Sequence, residues 1–167
     1  AAKPDLGAAP QSVTEAMVER LAERGVTHMF GVPGGECNLD FIAAADKAGV
    51  RFVLTRTETS AAIMACVAAE LMGAPGVAMT TRGPGLCAAT NGVAYADLDR
   101  APLLLIAEGY EDDQAYISHQ RIDQAAALAP MLRARSDLGA GDALGELDRL
   151  LAGAEGEAKG PAYLEVA

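Results

Sequence analysis

Near the start of the chain, apolar residues recur at helical spacing. Val13, Met17, Val18 and Leu21 share one face of a segment that opens with Ser12-Val-Thr-Glu15 and stops at Gly25. Ser-x-x-Glu before an apolar run is a capping box, so a helix is predicted up to Arg24. The period then changes. Thr27–Gly31 is a short apolar run that enters Val32-Pro33-Gly34-Gly35, a strand followed by a turn. A helix is predicted over 38–48, a strand over Val50–Thr55, a helix over Glu58–Leu71 and a strand over Gly76–Thr80. The Arg82–Gly85 loop leads to a helix over Leu86–Asp97, and Pro102–Ala107 is a fully apolar strand. A run of that kind suits the centre of a parallel sheet, buried on both faces. The last third is less regular: a polar loop over 108–120, a short helix over Arg121–Ala129 and a strand over Leu132–Arg135. A helix over Asp142–Leu151 and a strand over Ala162–Val166 close the pattern.

Strand and helix thus alternate about six times, which predicts one α/β domain. Its sheet is expected to have about six strands, mostly parallel, with helices on both faces. Residues 1–11 carry no periodic pattern and are expected to form a flexible tail, with the domain spanning 12–167. Ligands of such sheets sit beyond the carboxyl ends of the strands. The loops 33–35, 55–58, 81–85 and 108–120 fall there.

Composition narrows the chemistry. The 167 residues hold 13 Lys plus Arg against 23 Asp plus Glu, a net charge of −10, so the basic footprint that nucleic acid requires is missing. The same charge disfavours anionic membranes. No apolar run approaches the ~20 residues of a membrane span. Aromatics make up 4% and Trp is absent, which argues against stacking surfaces for bases or sugars. Cys37, Cys66 and Cys87 are far apart and odd in number, which disfavours a disulfide framework or a zinc site and suits a reducing cytoplasm.

Among candidate residues, Pro33-Gly34-Gly35 and Gly83-Pro84-Gly85 each follow a strand and precede a helix. Glycines there let a backbone approach a ligand closely, although ordinary turns need them too. Gly83 to Ala88 also fits G-x-G-x-x-A, with Glu108 at the end of the next strand as a ribose-binding acid, a rival nucleotide-binding reading. Glu58 begins a helix whose next turns are apolar. A glutamate there stabilises the helix through its dipole, and in a partly apolar cleft it is also equipped for proton transfer. His28, inside a strand, reads as structural, and Cys87 as a small buried thiol. Glu108, Glu111, Asp112 and Asp113 read as a solvated acidic loop.

Five segments in register then carry a resemblance. They are Phe30-Gly-Val-Pro-Gly-Gly35, Leu54-Thr-Arg-Thr-Glu58, Gly76–Gly85, Asn91-Gly-Val-Ala-Tyr-Ala96 and Asp99–Ile106. Together they resemble the pyrimidine-binding (PYR) N-terminal domain of thiamine-diphosphate enzymes of the acetolactate synthase and 2-oxoacid decarboxylase group. Gly160–Val166 is similar to the strand that closes that domain. The resemblance implies that Glu58 is the activating glutamate, which bonds N1′ of the aminopyrimidine and readies the cofactor to attack a 2-oxoacid carbonyl. It implies that Pro33, Gly34, Thr81, Gly83, Pro84, Gly85 and Asn91 contact the cofactor. Gly35, Gln120 and His119 would lie on the substrate side.

The same resemblance implies a PP domain, on this chain or a partner, that binds the diphosphate and Mg²⁺. It also implies a homodimer formed through the PYR domain. Nothing in the sequence supplies the family's Gly-Asp-Gly segment, because Gly141-Asp142 is followed by Ala143. The chain is therefore expected to be a fragment of a larger enzyme or a subunit of a split one, inactive alone. A catalytically silent assembly domain is the remaining alternative. Thr57 stands where the family often has His. Leu86-Cys87-Ala88 stands after Gly85 in place of Ala-Thr-Asn, and Ala107-Glu108 replaces a small residue and Gly.

Overall fold

A computed structural model describes residues 12–110, 119–138 and 141–167. The predicted tail and most of the 108–120 loop lie outside the described residues. The elements in chain order are α1 (Val13–Glu23), β1 (His28–Gly31), α2 (Glu36–Lys47), β2 (Arg51–Leu54), α3 (Glu58–Met72) and β3 (Gly76–Thr80). They continue with α4 (Pro84–Asp99), β4 (Leu103–Glu108), α5 (Gln124–Leu128), β5 (Ala134–Leu138), α6 (Ala143–Glu155) and β6 (Ala162–Val166). The six strands form one sheet in the order β2-β1-β3-β4-β6-β5, and every pairing is parallel. The expected α/β class holds, and the sheet is wholly rather than mostly parallel.

Local chemistry explains the boundaries. Ser12 caps α1 by the predicted box: its Oγ accepts from the Glu15 amide at 3.1 Å, and Glu15 Oε2 accepts from the Ser12 amide at 3.0 Å. Gly73 closes α3 with φ +67, in the left-handed region that glycine adopts without strain. Two predicted boundaries move. Helix α4 begins at Pro84 rather than Leu86, because proline at the first helical position loses no hydrogen bond. Strand β5 lies two to three residues later than predicted, since Leu132 and Arg133 precede the register that pairs Ala134 with Ala162.

Alternate strand residues enter two cores. Met29, Val77, Met79, Leu104, Ile106 and Leu164 point to one face and meet Met17, Leu21 and Phe41 with Leu147, Leu150 and Leu151 from α1, α2 and α6. Phe30, Ala78, Leu103, Leu105 and Tyr163 point to the other face, where α3 and α4 offer mostly alanines: Ala61, Ala62, Ala65, Ala89 and Ala96. Small residues let these two helices come close. A Cβ built on Gly92 of α4 would lie 2.3 Å from Ala62 Cβ of α3.

The chain runs outward from β1 to β2, then returns to the other side of β1 with β3. The loops after β1 and β3 therefore diverge and leave a crevice at the carboxyl ends of these strands, the topological switch point of a doubly wound sheet.

Candidate functional site

Two backbone ends frame the crevice. After β1 the chain passes Val32 and Pro33 into Gly34 and Gly35. After β3 it passes Thr80, Thr81 and Arg82 into Gly83, Pro84 and Gly85. Asn38, buried in the first turns of α2, ties the two together. Its Nδ2 donates to the Gly34 carbonyl and to the Thr80 carbonyl, the latter at 3.4 Å. Its Oδ1 is buried without a hydrogen-bond partner. The glycines are sterically required. A Cβ on Gly34 would lie 2.7 Å from Thr81 Cγ2, and one on Gly35, at φ +72, would lie 2.1 Å from Glu108 Oε2.

Glu58 stands at the first turn of α3. Thr57 caps that helix, its Oγ1 accepting from the Ser60 amide at 3.1 Å. Thr55 Oγ1 donates to the Thr57 carbonyl at 3.0 Å and stiffens the approach. Glu58 is half-buried and reaches towards the start of α4. A Cβ on Gly85 would lie 2.3 Å from Thr81 Oγ1, 2.8 Å from Thr80 Oγ1 and 3.4 Å from Glu58 Oε1. The absent side chain thus leaves a small cradle rimmed by two hydroxyls and one carboxylate. Such a rim can accept and donate hydrogen bonds to a flat polar ring, and a carboxylate there can exchange a proton with a ring nitrogen.

A third group closes the β4 side. Glu108 ends β4 and is buried, not solvated as its acidic neighbourhood suggested. Arg82 Nη2 donates to Glu108 Oε1, and the two side chains are 23% and 9% exposed. Burial of a carboxylate is tolerable because a cation and hydrogen bonds replace its water. The Arg82 guanidinium also lies 5.3 Å from the centre of the Tyr110 ring, and that of Arg121 lies 5.4 Å from the same ring. With its carboxylate committed to Arg82 and packed against Gly35, Glu108 cannot serve as the ribose-binding acid of the nucleotide-binding alternative. Residues 111–113 of the predicted acidic loop lie outside the described residues.

Gln120 is brought to the same place. A Cβ on Gly83 would lie 2.0 Å from the Gln120 carbonyl oxygen, so the two backbones touch. Tyr110 Oη donates to that carbonyl at 2.6 Å and accepts from the Ile122 amide at 3.2 Å. Gln124, buried at the start of α5, binds the assembly from below. Its Oε1 accepts from the Gly83 amide at 2.7 Å, and its Nε2 donates to the Glu108 carbonyl at 3.0 Å and to Tyr163 Oη at 3.3 Å.

Of the sequence-predicted site residues, Glu58, Gly34, Gly35, Thr81, Gly83, Pro84, Gly85 and Gln120 converge on this crevice rim, with Pro33 exposed beside them. Asn91 is exposed two turns into α4, and His119 is exposed at the turn before Gln120. Neither bonds to the rim among the described residues. Asn38, Arg82, Tyr110 and Gln124 were missed. The signal for Gln124 was a lone amide opening the alanine run Gln124-Ala-Ala-Ala-Leu128. For Arg82 and Glu108 it was two opposite charges at the ends of neighbouring strands.

The thiols divide differently from expectation. Cys66 is buried, but Cys87 is exposed because the first turn of α4 faces solvent at that position. Burial pushes the Cys66 thiol up to about 12. Burial, then the Glu108 charge, does the same for the half-buried Cys37. His28 is structural as read: its Nδ1 pairs with Thr27 Oγ1 at 2.8 Å, and its ring stacks on Phe30. Among the described residues no cluster of three His, Cys, Asp or Glu is placed to hold a metal ion, and no helix is long and apolar enough to cross a membrane.

Comparison with known proteins agrees with this geometry. Residues 11–127 match the family described as thiamine pyrophosphate enzyme, N-terminal TPP binding domain. The chain is 36% identical over 120 residues to an acetolactate synthase of Bacillus subtilis (strain 168), an alignment covering 71% of this chain and 21% of that protein. It is 31% identical over 132 residues to a catabolic acetolactate synthase of Raoultella terrigena, covering 78% and 23%. It is 35% identical over 114 residues to a 2-hydroxyacyl-CoA lyase of Oryza sativa subsp. japonica, covering 68% and 20%. The matched region thus spans about a fifth of these relatives' length.

Proposed function

The chain belongs to the thiamine pyrophosphate enzyme family, as its N-terminal TPP-binding domain, and from that membership we propose that it is the pyrimidine-binding half of an enzyme acting on 2-oxoacids. The observation that carries the reading is the cradle at Gly85, where Glu58 Oε1 and the hydroxyls of Thr80 and Thr81 surround the space of a missing Cβ. The buried, unpartnered Asn38 Oδ1 on the same rim adds a polar atom that a donor could satisfy.

In this reading Glu58 holds and moves a proton at N1′ of the aminopyrimidine. Gly34, Thr81, Gly83 and Gly85, flanked by Pro33 and Pro84, wall the ring, with Asn91 further along α4. Gly35, Gln120 and His119 face the substrate. The bound cofactor supplies an electron sink for breaking or making a carbon–carbon bond next to a carbonyl. The half-buried setting of Glu58 keeps water from competing for the carboxylate, and the helix dipole of α3 helps to keep it in place.

The diphosphate and its Mg²⁺ are assigned to a PP domain on the same or a partner chain, so the domain alone is inactive. The outer face of α3 and α4 supports association with such a domain and with a second copy. Leu71 and Leu98 are 82% and 81% exposed there, with Met64 and Val67 beside them. Unpaired thiols support a reducing, cytoplasmic setting.

The test uses the complete enzyme, wild type and Glu58→Gln, with thiamine diphosphate and Mg²⁺ titrated by calorimetry and turnover measured in parallel. Loss of a positioned proton-transfer group costs about 10²–10⁴ in rate. We expect a fall of that size with cofactor binding retained. Wild-type turnover in the variant removes Glu58 from its role, and no saturable cofactor binding by the wild type refutes the whole reading.

A further inference from the structure

We propose that Arg82 determines substrate specificity by holding the second carboxylate of a dicarboxylic 2-oxoacid. This deepens the function proposed above and rests on it. Arg82 lies between the two glycine loops of the crevice in a chain of net charge −10, where a cation beside the site is not a consequence of composition. Its guanidinium is held from two sides, by Glu108 and by the face of Tyr110. Among the described residues only Nη2 is engaged in a hydrogen bond. A guanidinium offers five N–H donors in a planar fork, and a fork can serve two carboxylates at once. The side chain keeps 23% exposure, and Gly35, against which Glu108 packs, contributes no side chain to cover it.

The other carboxylates of this neighbourhood are committed elsewhere. Glu165 accepts from Tyr163 Oη at 2.6 Å, and Asp123 caps α5 through the Ala126 amide at 2.8 Å. The remaining donors of Arg82 therefore point to an anion from outside the chain.

Which anion follows from the chemistry. A carboxylate that departs as CO₂ gives up its charge as its bond to the carbonyl carbon breaks. A cation holding it stabilises the ground state more than the transition state and slows the step. A fixed arginine is useful only to a charge that survives the reaction. In a 2-oxoacid that charge is a second carboxylate on the side chain.

The bland alternative is a strut, an ion pair that only braces two loops. Replacing a buried pair by apolar residues of similar volume commonly leaves a fold intact, so stability and specificity can be separated. In the complete enzyme, kcat/KM is measured for 2-oxoglutarate and for pyruvate. We expect the wild type to prefer 2-oxoglutarate. In Arg82→Met/Glu108→Met, checked for folding by a thermal melt, the 2-oxoglutarate-to-pyruvate ratio should fall tenfold or more, chiefly through KM. Arg82→Lys, which keeps the charge and loses the fork, should fall between, and it carries the ratio test alone should the double variant not fold. A wild type that prefers pyruvate, an unchanged ratio in the variants, or no turnover of either donor by an enzyme that binds thiamine diphosphate overturns the proposal and leaves the cofactor reading standing. Absence of cofactor binding overturns both.

Discussion

The two faces of the sheet are finished differently. On the α1/α2/α6 face the core is made of large side chains, among them Met17, Leu21, Phe41 and Leu150. Outside it, ion pairs join helix to helix: Arg20 to Asp148, Arg24 to Glu155 and Lys47 to Glu15. On the α3/α4 face the core is built of alanines, and the outer surface carries Met64, Val67, Leu71 and Leu98. A helix that is apolar on one side is complete against water, whereas one that is apolar all round still lacks a neighbour. The first face is a support. The second carries the chemistry, since both its long helices begin at the crevice, and its outer side is built to be covered.

Two glutamates in first helical turns make the contrast concrete. Glu15 is spent on its own helix, accepting from the Ser12 amide and from Lys47. Glu58 leaves its helix to Thr57 and turns to Gly85. Glu58→Gln should therefore carry the largest effect, the loss of about 10²–10⁴ in turnover expected for a proton-transfer group, while Glu15→Gln leaves turnover within twofold or so. Equal kinetics in the two variants would erase the distinction.

The next largest effect concerns the uncovered side. Leu71→Asp combined with Leu98→Asp should leave the melting temperature of this domain nearly unchanged, because surface changes away from special features cost within about 0.5 kcal/mol. The same pair should weaken assembly of the complete enzyme by at least tenfold in sedimentation equilibrium. Unaltered assembly would show that water, not protein, meets this face. Inside the layer, Gly92→Ala should cost about 1–3 kcal/mol in urea unfolding, because its Cβ meets Ala62. On the supporting face, Ser12→Ala should cost about 1 kcal/mol through the lost cap.

The last prediction is a pH dependence of modest size. Burial raises the Cys66 thiol to about 12 in the folded chain, against an ordinary value of 9.0. Below 9 both states hold the proton and the stabilisation is complete. Between 9 and about 12 only the unfolded chain releases it, so stability falls as pH rises through that window. Unfolding midpoints at pH 8 and 10.5 should differ by less in Cys66→Ala than in the wild type. Exposed Cys87 should react with a thiol reagent before Cys66 does.

Much of this was legible in the sequence because it rests on local rules. The capping box at Ser12, the glycine stops and the apolar run of β4 each declare an element within a few residues. Glu58 was found because its helix start and apolar sequel are adjacent in the chain. What was not legible depends on pairs far apart. Glu108 read as solvated among acidic neighbours until β3 and β4 aligned and brought Arg82 to it. Asn38 and Gln124 look like ordinary helix residues and acquire meaning only where two strand ends or two loops meet. Cys87 was read as buried because spacing in Pro84–Asp99 does not reveal which side of an all-round apolar helix faces the sheet.

The strand order has a consequence for how the molecule is made. During synthesis β1 and β2 can pair first, since only α2 separates them. The other edge of β1 must then stay open until residues 76–80 leave the ribosome. Until then α3 has no strand β3 and no α4 to pack on, and its apolar surface is bare. Pairing across such an excursion is slow, and an unpaired edge beside bare apolar surface invites aggregation. The switch point that creates the crevice is thus also the step on which folding waits, and it is where a chaperone would do the most good.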